Sequence, residues 1–138
     1  MSKIPWADRP ENKANRLEYM KEWRRKNPLK ACVHSLVGGA KDRARKRGLT
    51  VDKDFMTVAN VSAIIPDDMR CPCCRRKMTA EVEKGKHPHS ISLDRVDNDA
   101  GYVRGNVAVI CSTCNSRKKD MSIHDLRLIL RYVERHGA

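Results

Sequence analysis

Aromatic side chains are scarce in this sequence: one Phe, two Trp and three Tyr make up 4% of 138 residues. Single-strand binders stack successive bases on such rings, so a partner held by its phosphates, duplex or branched, fits better. Long apolar runs are missing as well. No run of roughly 18 apolar residues exists, which excludes a membrane-spanning helix, and the N-terminal stretch lacks the apolar centre of a secretory signal. The expectation is a cytoplasmic protein with no membrane partner. Acidic residues are outnumbered, 17 against 29 Lys and Arg, for a net charge of +12. A chain this short that is 33% charged has limited apolar surface to bury. It is expected to be one compact domain with appendages, which a structural metal would help hold together.

The positive charge is concentrated at one end. Residues 1–48 carry 14 Lys/Arg against 5 Asp/Glu, a net of +9, while 49–90 and 91–138 contribute +1 and +2. That divides the chain into a basic helical arm, 1–48, and a core, 49–138, and points to a polyanionic partner, nucleic acid. Residues 1–10, with Pro5, Trp6 and Pro10, read as an irregular lead-in. Glu11 to Lys26 is predicted as a helix, with Leu17, Met20 and Trp23 at three-residue spacing and Pro28 ending it. Lys30 to Arg47 shows a second stripe of Val33, Leu36 or Val37, Ala40 and Ala44, with Gly48 as a left-handed C-cap. Gly38-Gly39 interrupts this pattern and would split the segment into two helices. Lys41, Arg43, Arg45, Lys46 and Arg47 follow on that segment. A helix C-terminus favours one or two such cations; five in seven residues imply phosphate contacts.

Further on, Asp54 to Ile65 is expected as a short helix with Val58, Val61 and Ile65 inward and Pro66 at its end. Residues 80–90 show no periodicity and read as a loop. Ile91-Ser92-Leu93-Asp94 alternates apolar and polar, and Val107-Ala108-Val109-Ile110 is rich in β-formers, so the two make a hairpin. Ser112 or Thr113 can cap a helix beginning there, and Ser122-Ile123-His124-Asp125 is a capping box. The final helix carries Ile123, Leu126, Ile129 or Leu130, and Val133 on one face, to be packed most simply on the back of the hairpin. The fold class is therefore α+β.

Cysteine spacing is the most specific signal. Cys71/Cys74 and Cys111/Cys114 form two Cys-x-x-Cys knuckles, and four thiolates make a tetrahedral zinc site. The bland alternative is a chance cluster of core cysteines. Cys73 is a surplus thiol, and Cys32, alone in an apolar stripe, reads as a small core residue. A closed four-thiolate shell has no open position, so such a zinc is structural rather than catalytic. Zinc does not account for Asp94, at the end of a strand, or Asn115, directly after the last knuckle. Singly they read as a turn-forming Asp and a cap. As a pair of oxygen ligands they suit Mg²⁺ or Mn²⁺.

Leu93-Asp94-Arg95-Val96-Asp97-Asn98, Gly101-Tyr102, Gly105-Asn106-Val107, Cys111-Ser112-Thr113-Cys114-Asn115 and Lys118 together resemble the HNH, or ββα-metal, endonucleases. The resemblance is closest to phage-type members with two knuckles, related to recombination endonuclease VII, and it is specific over residues 71–120. It implies a small zinc-stapled ββα-metal core that hydrolyses DNA phosphodiesters to a 5′-phosphate and a 3′-hydroxyl. It further implies that Asp94 and Asn115 bind the catalytic ion, that Asn106 braces the hairpin loop, and that the helix from Ser112 lies on the DNA backbone with Arg117, Lys118 and Lys119. One position departs from the pattern. Where the family usually has a His as general base, this chain has Arg95, which cannot be deprotonated. Arg95 can stabilise charge on the phosphate, and the base must then come from elsewhere, with His89, His87 and Tyr102 the candidates, or from a metal-bound hydroxide. The alternative reading is a non-catalytic zinc DNA-binding protein with a degenerate centre. Whether the chain nicks alone or cuts both strands as a homodimer stays open.

Overall fold

Asn27 separates two helices that otherwise run almost without a break: α1 (Pro10–Lys26) and α2 (Pro28–Arg47), in a computed structural model that describes residues 10–80 and 87–137. The lead-in at 1–9 and most of the expected loop, 81–86, lie outside the described residues. Asn27 closes α1 through its backbone N–H and its side-chain amide, both donating to the Trp23 carbonyl at 2.9 and 3.0 Å. Pro28 then opens α2, at the position where a missing N–H costs nothing. The α1 stripe buries little: Leu17 is exposed, and Met20 and Trp23 are half-buried. Trp23 meets His34 edge to face at 6.0 Å.

α2 does not split at Gly38-Gly39. Two helical glycines cost about 2 kcal/mol, and the burial of Val33, Val37, Ala40 and Ala44 on one face outweighs that. Gly48 ends the helix at φ 66°, its N–H donating to the Ala44 carbonyl. The next helix, α3 (Val58–Ala63), is shorter than expected. Asp52 takes the preceding residues into a turn, its Oδ1 accepting the N–H groups of Asp54 and Phe55 at 3.1 Å, and Thr57 caps the helix through the Asn60 N–H.

β1 (Ile91–Arg95) and β2 (Val107–Cys111) pair antiparallel, with Ile91 opposite Cys111 and Asp94 opposite Ala108. The connection between them is stitched to the chain after α2: the Tyr102 N–H donates to Thr50 O at 2.9 Å and the Asp52 N–H to Tyr102 O at 3.0 Å. Gly101 permits this approach, because a Cβ there would overlap the Thr50 carbonyl. α4 (Ser112–Lys118) leaves β2 directly and crosses the hairpin, completing a ββα unit. The buried face of α2, with Phe55, Met56 and Val61, forms a single core with Leu93, Tyr102, Val109 and the knuckle cysteines.

The last helix, α5 (Ile123–His136), forms where expected, and Ser122 and Asp125 make the full capping box. Its packing differs from expectation. None of its residues is buried, and among the described residues it packs on no other element. The helices that pack against β1 are instead α2 and α4.

Candidate functional site

The first candidate site is the cysteine cluster. Cys71 and Cys74 come from a tight turn in which the Arg75 N–H returns to Cys71 O at 2.8 Å and the Cys71 N–H donates to Arg76 O at 2.9 Å. Arg75 takes a left-handed φ of 64° to close it. Cys111 and Cys114 sit at the junction of β2 and α4. One Sγ from each of the four lies within 4.8 Å of the others, and Cys74 Sγ is 3.8 Å from Cys111 Sγ. Zinc–sulfur bonds of ~2.3 Å in a tetrahedron separate sulfurs by about 3.8 Å, so the donor set fits a zinc-sized ion. Burial acts to raise the Cys71 thiol, but backbone N–H groups of Cys111, Cys74 and Cys73 outweigh it and bring it to about 6. Burial pushes Cys111 and Cys114 up. Crowded thiols that cannot all ionise alone are a set that a divalent cation stabilises. Cys73 is exposed and outside the cluster, and Cys32 is half-buried on α2.

The second candidate site lies on the ββα unit. Asp94, at the end of β1, is 6% exposed. Asn115, one turn into α4, donates its amide to Ser92 Oγ at 2.6 Å and to the Leu93 carbonyl at 3.0 Å. Both bonds use the nitrogen, so the rotation of the amide is fixed and Oδ1 is its remaining end. An open cavity of about 260 Å³ brings these two side chains together, lined also by Arg43, Arg47, Arg95, Tyr102, Lys119 and Asp120. Cations from α2 and from the end of α4 thus face one buried carboxylate. Arg43 is held there by its Nε, which donates to the Tyr102 hydroxyl at 3.2 Å.

Three expected site residues are placed differently from their reading in the sequence. Lys118 does not face outward to nucleic acid: its Nζ lies 3.1 Å from Asp94 Oδ1 and donates to Arg95 O at 2.8 Å. Arg95 spends Nη1 on the carbonyls of Asn98 at 2.6 Å and Ala100 at 3.3 Å, with its guanidinium 5.6 Å from the centre of the Tyr102 ring. It lines the cavity but is tied to the loop. His89 does not line it; it lies in the turn that precedes β1. Its turn is docked instead on the start of α4, where Ser112 Oγ donates to His87 O and Thr113 Oγ1 to Pro88 O, at 2.8 and 2.6 Å.

Asn106 is 9% exposed and makes three bonds with the loop. It accepts the Asp97 N–H at 2.8 Å and donates to the carbonyls of Asp97 and Gly101 at 3.0 and 2.9 Å. Lys41, Arg45 and Lys46 are exposed on α2, Arg45 paired with Asp42 at 2.9 Å. Arg117, with His87, Ser112, Thr113 and Ser116, lines a broader adjoining depression. The residue that sequence reasoning missed is Asp120. It lies one residue beyond a basic run and carries no motif; only the turn after α4 brings it to the cavity.

No known protein family matches the chain, and no curated protein matches it. Among solved structures, the chain is similar to the rare-cutting HNH restriction endonuclease PacI, described for its perturbation of DNA. The similarity covers 76% of this chain and 81% of that one at a TM-score of 0.50 and 18% identity. At that identity the likeness establishes the fold: a small α+β, HNH-type ββα unit beside a four-cysteine cluster.

Proposed function

We propose that the chain is an HNH-type, metal-dependent DNA endonuclease. The observation that carries this reading is the meeting of Asp94 and the Asn115 amide in one cavity rimmed by Arg43, Arg47 and Lys119. A zinc staple and a basic surface explain a DNA-binding protein, but not a buried carboxylate facing cations across an open cleft. The donor set suits a divalent ion: two oxygens on rigid elements, with the Lys118 ammonium already standing as a cation on Asp94. Mg²⁺ or Mn²⁺ held by Asp94 and Asn115 would supply polarisation of the scissile phosphate and an acidified water. The remaining steps belong to the chain. Arg43 and Arg47 hold the phosphodiester from the α2 side and Lys119 from the other, orienting it over Asp94 and offsetting the charge that develops on it.

Water must lose a proton, and Arg95 cannot take it. Asp120 is the other acidic side chain in the cavity and can accept it; His89 is not among the residues that line it. The Cys71, Cys74, Cys111 and Cys114 cluster holds zinc for structure, fixing β2 and α4 and so the positions of Asn115 and Lys118. The paired knuckles support kinship with the phage-type members related to recombination endonuclease VII, and the basic residues 1–48 support a role in DNA affinity.

The test is nicking of supercoiled plasmid with Mg²⁺, with Mn²⁺ and without added divalent ion. Metal-dependent nicking that Asp94→Ala abolishes and Asp120→Asn strongly lowers is expected. Tight DNA binding with no cleavage under any of these conditions would establish the non-catalytic alternative, which the tethering of Arg95 favours. Full activity in Asp94→Ala would sink the mechanism.

A further inference from the structure

The helix α5 is an anomaly of packing. Of the large apolar residues that stand exposed, Ile123, Leu126, Leu128, Ile129, Leu130, Tyr132 and Val133 all belong to it. A 14-residue helix is marginal in water by itself, and a capping box adds only modestly to that. Its start is nevertheless fixed to the body, because the Asn98 amide holds the carbonyls of Lys119 and Met121 at 3.4 and 3.3 Å. Among the described residues nothing covers the apolar face of the helix.

What covers that face can be read from its flanks. At 100° per residue, Ile129, Val133, Leu126, Leu130 and Ile123 fall on one continuous arc of about 120°. Arg127 and Glu134 border the arc on one side, and Asp125 and His136 border it on the other. When two such helices pair antiparallel about a two-fold axis, each flank meets its own counterpart reversed. Residue numbers that face each other then add to a constant. Arg127 with Glu134 and Asp125 with His136 give the same constant, 261, which puts the axis between Leu130 and Arg131. In that register Leu130 and the second Leu130, and likewise Ile129 and Val133, stand one residue out of level, about 1.5 Å along the axis, and so remain within packing distance. The two flanks agree on one register, the apolar arc can pack within it, and the partner that satisfies both flanks is a copy of the same helix.

We propose that α5 is a self-association surface on which two copies of this chain pair antiparallel, with the axis beside Leu130. One helix per copy makes a small interface, so a dissociation constant on the order of micromolar is expected. The pairing is independent of the nuclease reading and of its metal.

Sedimentation of the full chain tests it, at protein concentrations from about 1 to 200 μM and moderate salt, which screens the repulsion between two +12 chains. A monomer–dimer equilibrium is expected. Leu130→Glu should weaken it at least about a hundredfold, because two charges would be buried against each other at the axis. The variant should keep its zinc and its thermal unfolding midpoint, since among the described residues α5 packs on no other element. Arg127→Glu and Glu134→Arg put like charges on one flank, so each alone should dimerise more weakly than the parent. Mixed together, the two variants should form a heterodimer at parental strength. A monomer at every concentration, or a dimer indifferent to Leu130→Glu, overturns the proposal. Failure of the mixture to recover overturns the register.

Discussion

Replacing Lys118 by Met removes one half of the most buried ion pair among the described residues. The two side chains are 20% and 8% exposed, with Nζ 3.1 Å from Asp94 Oδ1. Methionine keeps the length of the aliphatic stem, so the loss is the charge and its two hydrogen bonds. Breaking a fully buried pair costs about 3–5 kcal/mol because the other charge is left uncompensated; with Lys118 one-fifth exposed, about 2–3 kcal/mol is expected. For a domain of this size that lowers the unfolding midpoint by roughly 8–12 °C. The assay is thermal unfolding of zinc-loaded protein in buffer without other divalent ions, since a chelator would strip the cysteine cluster as well. If Asp94 is a metal ligand, Mn²⁺ at about a hundred times its dissociation constant should return about 2.7 kcal/mol to the variant. The parent should gain less, because there the ion must displace an ammonium. Asp94→Asn combined with Lys118→Met should melt no lower than Lys118→Met alone and show no response to Mn²⁺. An unchanged midpoint refutes the ion pair as a structural element. A lowered midpoint that Mn²⁺ does not raise refutes Asp94 as the ligand.

Cys71→Ser and Cys114→Ser should each lose zinc by elemental analysis and fold poorly, since metal binding and folding are linked; a variant with a native midpoint and no zinc would disprove the ligand set. Asn106→Ala strands the buried Gly101 carbonyl and frees the loop, so a loss of about 2–3 kcal/mol in denaturant unfolding is expected, with zinc retained. Arg43→Gln with Arg47→Gln should weaken DNA binding and shallow the plot of log affinity against log salt by about one per lost phosphate contact; an unchanged slope rules out those contacts. Arg95→His should not raise nicking at neutral pH if Asp120 is the base, and a gain with a new ionisation near 6–7 would return the base to position 95.

The sequence made the zinc cluster and the hairpin legible because both are local. A Cys-x-x-Cys turn closes on itself, and β1 and β2 carry their period-two patterns over a few residues. The α2 stripe was equally legible, and so was Gly48, whose left-handed φ follows from its place after the last basic turn. What failed had tertiary causes. The continuity of α2 through two glycines comes from burial against α3 and β1, which no local propensity encodes. The bare face of α5 reads in sequence as a core face; its amphipathic pattern says that it must be covered, not by what. Asp120 enters the cavity only through the turn after α4. Lys118 looked like one more surface cation in a run of three, and it took the packing of α4 on β1 to turn it inward.

The position of α2 ties these points together. A basic arm attached to a nuclease core would supply affinity wherever it landed on DNA, because phosphate contacts outside the site add binding without chemistry. Here the helix is part of the core, and its last two turns bring Arg43 and Arg47 to the cavity that holds Asp94. Tyr102 is the joint: its hydroxyl accepts from Arg43, its ring lies beside Arg95, and its backbone is paired to Thr50 and Asp52 just beyond α2. Arg95 in turn anchors the loop that Asn106 braces. An arginine at that position therefore links the α2 cations to the hairpin loop, a job that a histidine is too short to do with the same two carbonyls. On the proposed nuclease reading, an arginine in place of the usual base is a trade: the site would give up an imidazole, keep the Arg43 and Arg47 cations fixed for the phosphate, and leave proton transfer to Asp120.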